Sequence, residues 1–272
     1  MRYPLAVVLC LVFQLAQAQQ RPLQTETTET VPDGKAQAEL GVEWLNDVTY
    51  TLSGLKGDLS RVGVFALRVG VGDRAELQFK GAALERLAIS ERFPAPNSSI
   101  LTFNGSSTRD VGDLILGAKF RLRNESENAP AFGFHFAVQL PNASNESGLG
   151  NDVTSAFASI LVGKKIGKAR LSGTVGLAIL GSPVDVASQD DLTLYGVALS
   201  WPASSRVDLV GEFYGRAGPG WFGTEEQTRL RLGARFKAAG FYWDAAALAG
   251  FQKTDPSWGI GFGVSRQFNL SF

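Results

Sequence analysis

The last sixteen residues restrict the fold more than any other stretch. From Ser257 to Phe272 the even positions read Trp258, Ile260, Phe262, Val264, Arg266, Phe268, Leu270 and Phe272. The odd positions read Ser257, Gly259, Gly261, Gly263, Ser265, Gln267, Asn269 and Ser271. Successive side chains on a β-strand point to opposite faces, so a period of two gathers the bulky apolar groups on one side and the small polar ones on the other. Such a strand needs either a dry core or hydrocarbon against its greasy face.

The same period recurs from Ala36 onward. Leu40, Val42 and Trp44 alternate with Glu39, Gly41 and Glu43, and Leu77 and Phe79 alternate with Glu76, Gln78 and Lys80. Leu116, Ala118, Phe120 and Leu122 stand against Gly117, Lys119 and Arg121; Leu230, Leu232, Ala234 and Phe236 stand against Arg229, Arg231, Gly233 and Arg235. In 152–162 both faces carry large apolar groups, Phe157 and Leu161 opposing Ile160 and Val162, so the pattern does not choose a face. Counted this way, the chain holds about twelve strands, an even number as bacterial single-chain barrels have.

The links between strands alternate in length. Those around Gly72-Asp73, Gly167, Ala203-Ser204 and Ala239-Gly240 are tight, whereas 46–58, 81–109, 141–151, 181–190 and 217–224 are long. Tight turns on one side and loops on the other are the pattern of an outer-membrane barrel, with the turns in the periplasm. Periplasmic termini would place Phe120, Phe132, Trp201, Phe236, Phe241, Trp243 and Phe268 at the inner interface as an aromatic girdle. A soluble β-sandwich also alternates. The girdle, the loop alternation and the even strand count favour an all-β transmembrane antiparallel up-and-down barrel over residues 36–272. Of the loops, 81–109 is the longest; with Phe93 to Pro96 and a run of Asn and Ser it could either fold inward over the mouth or remain mobile outside it.

Residues 1–18 read as a signal peptide: Arg2, an apolar run from Leu5 to Phe13, and Ala16-Gln17-Ala18 as a cleavage site, with processing expected after Ala18. The run is shorter than the roughly 20 apolar residues of a spanning helix. Cys10, the one cysteine, would leave with the leader. Residues 19–35, QQRPLQTETTETVPDGK, are polar and aperiodic and are expected to form a disordered periplasmic arm; a luminal plug helix is disfavoured by two prolines and a glycine. A formal net charge of +0 argues against nucleic-acid binding.

Twelve strands tilted by ~40° enclose a backbone radius of about 12 Å, which leaves a narrow lumen once side chains are added. The expected pore-lining residues are Arg68, Glu76, Lys80, Asp113, Lys119, Arg121, Asp208, Glu212, Arg229, Arg231, Arg235 and Asp244, with glycines between them leaving room for water or solute. Arg229, Arg231 and Arg235 on one strand face could guide anions. The competing reading is a wall of cross-strand ion pairs, with Glu212 near Arg229. His135 is the sole histidine, so a catalytic triad has one candidate base, and it lies on the inward face. No metal-ligand spacing and no phosphate-binding glycine loop is present, and no cofactor is expected.

A family resemblance adds to this reading. GVGDRAELQF (70–79), GDLILGAKFRL (112–122) and the stretch from FAVQLP to GLG (136–150) resemble a family of Gram-negative outer-membrane barrels named as transporters of the meta-pathway of phenol degradation. The aromatic C-terminal strand, through Phe268, Leu270 and Phe272, likewise resembles the signal read by the barrel-assembly machinery. These resemblances imply an outer-membrane channel in contact with lipid, passing small solutes passively, aromatic or anionic ones among them. The alternatives are a structural or surface-exposed barrel with an occluded lumen and, third, a lipid-modifying enzyme.

Overall fold

The computed structural model describes residues 20–184 and 188–270; the signal peptide expected at 1–18 and Phe272 lie outside the described residues. The strands are β1 (Lys35–Tyr50), β2 (Leu55–Val71), β3 (Ala75–Arg92), β4 (Ser107–Asp110), β5 (Ile115–Arg123), β6 (Ala131–Gln139) and β7 (Ser155–Ile166). They continue as β8 (Ala169–Gly181), β9 (Gln189–Pro202), β10 (Val207–Ala217), β11 (Gln227–Ala238), β12 (Phe241–Gly250) and β13 (Trp258–Asn269).

Each strand pairs antiparallel with its neighbours, and β1 pairs with β13 from Lys35↔Asn269 to Asn46↔Trp258, closing the sheet. β4 and β5 both pair with β3, β4 along Glu85–Ala88 and β5 along Ala75–Lys80. They are two pieces of one barrel position, so the closed cylinder is twelve-stranded. Closure leaves no open edge, which lets a sheet cross hydrocarbon with its backbone groups satisfied. Among the described residues no helix is long and apolar enough to cross a membrane; the strands do so.

The faces follow the alternation. Leu40, Leu77, Leu116, Val175, Val197, Leu232 and Phe262 point outward and are exposed in the isolated chain, whereas Arg68, Glu76, Lys119, Glu212 and Asp244 point inward and are buried. The ambiguous segment resolves on β7: Ile160 faces out and Leu161 is buried inside. At the tight-turn end, Phe236 stacks on Trp243 at 6.5 Å and Phe241 lies 6.3 Å from Trp243, within the expected girdle. Trp44 meets Phe262 at 6.4 Å near mid-height, and toward the loop end Phe213 meets Phe251 at 6.3 Å.

Two expected loops are largely strand. The link expected at 46–58 shrinks to the turn at 51–54, and most of the first part of 81–109 belongs to β3, which runs to Arg92. β1, β2 and β3 have 16, 17 and 18 residues and so rise above their shorter neighbours. In this tall rib the inner face changes character. Two residues beyond the Glu43–Arg61–Glu85 group, on the same face, stand Leu45, Leu59 and Leu87. Leu55, Leu59, Leu87 and Leu149 form a buried cluster, against which Leu101 and Phe103 of the next loop pack. That loop therefore folds over the mouth, pinned by Asn97 N donating to the Leu52 carbonyl at 2.8 Å. The strand alternation did not reveal the rib because its apolar residues face a local core rather than lipid.

Candidate functional site

The lumen holds a segment that the sequence placed elsewhere. Residues 20–34, expected as a disordered periplasmic arm, run through the barrel as an irregular strap, with Leu23, Thr25, Glu26, Thr28 and Val31 buried. An aperiodic segment cannot satisfy its backbone by a ladder of its own, and buried N–H groups need partners. The wall supplies them. Glu212 of β10 accepts from Gln24 N and Thr25 N, each at 2.8 Å, and Glu76 of β3 accepts from Val31 N at 2.7 Å. Arg231 of β11 donates through Nη1 to the Pro22 carbonyl at 2.6 Å, and Thr174 of β8 donates to the Glu26 carbonyl at 3.1 Å.

Side chains of the strap pair with wall charges. Arg21 meets Asp244 at 3.3 Å, Glu26 bonds Lys80 and lies 3.4 Å from Lys119, and Glu29 pairs with Arg170. Inward glycines form the bed. A Cβ on Gly41 or Gly263 would collide with the Arg21 side chain, one on Gly163 would stand 2.5 Å from Thr28 Oγ1, and one on Gly196 would stand 2.7 Å from Thr25 Oγ1. The room expected for solute at these glycines is occupied by the strap. Near the turn end, Asp33 accepts from Gly72 N at 2.7 Å and Leu270 N donates to the Gly34 carbonyl at 2.8 Å, so the strap passes into β1 beside the end of β13.

The twelve predicted lining residues separate into a middle and two rims. In the middle, Arg68 pairs with Glu39 at 2.7 Å, Lys119 with Glu76 at 3.0 Å, and Arg231 with Glu43 at 3.4 Å and Glu212 at 3.7 Å. Lys80 and Asp244 hold the strap, and Arg235 is buried with Asp208 and Asp244 as its cross-strand neighbours. At the turn rim, Arg121 donates to the Asp73 carbonyl. At the loop rim, Arg229 closes on Asp255 at 2.7 Å, and Asp113 accepts from Gln139 Nε2 at 2.6 Å and Ala143 N at 2.8 Å.

Two expectations change here. Asp113 and Arg229, expected among the pore-lining residues, stand at the loop rim and anchor loops. The register sets Glu212 opposite Arg231, and Arg229 faces Tyr214. Counting across the loop misplaced this pair by two residues. The strap's own contribution, from Arg21, Gln24, Thr25, Glu26, Glu29 and Val31, was not foreseen.

His135 is buried on the inner face and its Nε2 has no hydrogen-bond partner. Among the described residues no group of His, Cys, Asp or Glu has the arrangement of a metal site. Of the assembly residues, Phe268 faces outward on β13, Leu270 is joined to Gly34 through its backbone, and Phe272 lies outside the described residues.

Comparison with known proteins places this geometry. Residues 19–268, strap and barrel together, match the family model described as "Putative MetA-pathway of phenol degradation". No curated protein matches significantly. Among solved structures, an outer membrane channel from Pseudomonas putida F1 is similar, with a TM-score of 0.63 and 16% identity over 89% of this chain and 98% of that one. The translocator domain of the autotransporter NalP from Neisseria meningitidis is more distant, with a TM-score of 0.46 and 12% identity over 86% of this chain and 87% of that one.

Proposed function

Because this chain belongs to the MetA-pathway phenol-degradation family, we propose that this outer-membrane barrel is a passive channel for small solutes whose bore is set by its N-terminal strap. The observation that carries the reading is a continuous inner wall of paired charges with a polar, non-helical segment laid across it. A charged inner wall is compatible with water and small polar solutes. The solute class follows from the narrow bore: single-ring or smaller molecules, aromatic or anionic ones among them.

Planar-bilayer recording and liposome swelling test this. Processed protein should give small, uniform current steps, and a panel of aromatic acids, neutral phenols and sugars should show a size limit. Absence of steps and swelling, both with the full strap and after removal of residues 20–34, would identify a sealed barrel. The occluded-lumen reading has its own support, since the strap crosses the lumen and touches β1, β3, β8, β10, β11 and β12. A large conductance that appears only when the strap is removed would favour it.

The outward Phe268 and the strand that carries it fit the role of an assembly signal. Phe268→Ala should lower the yield of folded barrel in the outer membrane while leaving refolding in detergent unchanged. Cleavage after Ala18 is checked by the mass of the protein purified from membranes.

A further inference from the structure

Above the strap, on the inner face at the loop end of β7 to β10, lies a cavity of ≈ 180 Å³. Its walls include Phe157, Leu180, Leu194 and Phe222, and Arg216 reaches it from β10. The Arg216 guanidinium differs from its neighbours in one respect. Arg68, Arg229 and Arg231 all close on carboxylates, but among the described residues Arg216 has none within 4 Å. Its bonds go instead to carbonyl oxygens, Nε to Glu225 and Nη2 to Gly223, both at 3.1 Å. A guanidinium carries five N–H donors, so the outer edge formed by Nη1 and the second Nη2 hydrogen remains available. That edge has the fork geometry that binds a carboxylate through two parallel hydrogen bonds.

From these features we infer that the outer vestibule holds a binding site for a small aromatic carboxylate. The carboxylate would sit on the free edge of Arg216 and the ring would lie between Phe157 and the leucines. The volume matches a benzene ring, for which about 150 Å³ suffices, with one carboxyl group, and the lining is mixed, Gln139 and Asn151 standing beside the apolar side chains. Asp190 also lines the cavity. It stands four residues along β9 from Leu194, the partner of Arg216 in the register, which places it about 13 Å from the Arg216 level. The site would concentrate such anions at the mouth of the channel, so the inference rests on the channel reading for its purpose but not for its detection.

Titration of benzoate into detergent-solubilised, processed protein, followed by calorimetry and by the emission of nearby Trp221, tests the site without any conduction. Benzoate should bind more tightly than acetate, which lacks the ring, and than benzamide, which lacks the charge. Arg216→Gln should weaken benzoate at least about tenfold, the loss of a charge-assisted pair, and should leave the weak benzamide signal as it was. Because Arg216 also orders the loop at 218–224, Phe157→Ala serves as a second variant. It should weaken benzoate but not acetate, with folding of both variants checked by heat-modifiable mobility. Equal binding of benzoate by Arg216→Gln and the unmodified protein, or tighter binding of benzylamine through Asp190, overturns the proposal. Benzoate binding in a protein that passes no current keeps this site and removes the channel; current without benzoate binding does the reverse.

Discussion

The barrel wall and the strap inside it are ordered by different physics. The wall is periodic: each strand offers one face to lipid and one to the lumen, and its backbone is satisfied by its neighbours in a closed ladder. The strap is aperiodic and has almost no ladder, yet Val31 and Thr28 are as buried as any wall residue. Its order comes from outside itself, from carboxylates on the wall that accept its N–H groups and from glycines that admit its side chains. A segment with the composition of a disordered arm becomes structured when it enters a cavity already lined with complementary groups.

If the wall supplies the strap's order, removing residues 20–34 should leave the barrel folded and strongly change its bore. The expected result is a heat-modifiable barrel with conductance increased several-fold, read as single-channel step size; loss of the folded band would make the strap part of the barrel's own core. Within the strap, Glu26 and Glu29 differ in what they leave behind. Glu26→Ala strands Lys80 in the lumen and removes one of two partners of Lys119, whereas Arg170 without Glu29 still has Glu125 at 3.5 Å. Loss of a buried partner costs about 3 to 5 kcal/mol, and loss of a partly exposed one costs about 1 kcal/mol or less. Urea titration of the two variants in detergent should separate them by that margin.

On the wall side, Phe262→Arg turns a charge toward hydrocarbon and should cost roughly 2 to 4 kcal/mol near the midplane. Refolding equilibrium in lipid vesicles measures it, and a smaller loss would mean that the outer face of β13 is not in contact with lipid. The finest distinction lies between two glycines. Gly167, at φ +59° in the β7–β8 turn, has no atom within 4 Å of an added Cβ. Gly167→Ala should therefore cost only backbone strain, about 1 kcal/mol, and leave conductance unchanged. Gly70→Ala would drive a methyl to 2.1 Å from the Pro32 carbonyl oxygen of the strap, and should alter conductance at a larger cost in stability, about 1 to 3 kcal/mol.

Alternation in the chain was enough to give the number of strands, most of their faces and the inward position of residues such as Arg68, Lys119 and Asp244, because a strand's side-chain period is local and lipid rewards one face of it. The sequence patterns did not give what depends on register and on non-local contact. Glu212 meets Arg231 only because ten residue pairs of β10 and β11 lock at one offset. The tall rib of β1 to β3 hides its leucines from lipid in a mouth cluster that loops from distant positions complete. The strap is the furthest case: nothing local distinguishes Thr25 to Thr30 from a solvated tail, and the carboxylates, cations and glycines that hold it come from strands throughout the chain, meeting only when the cylinder closes.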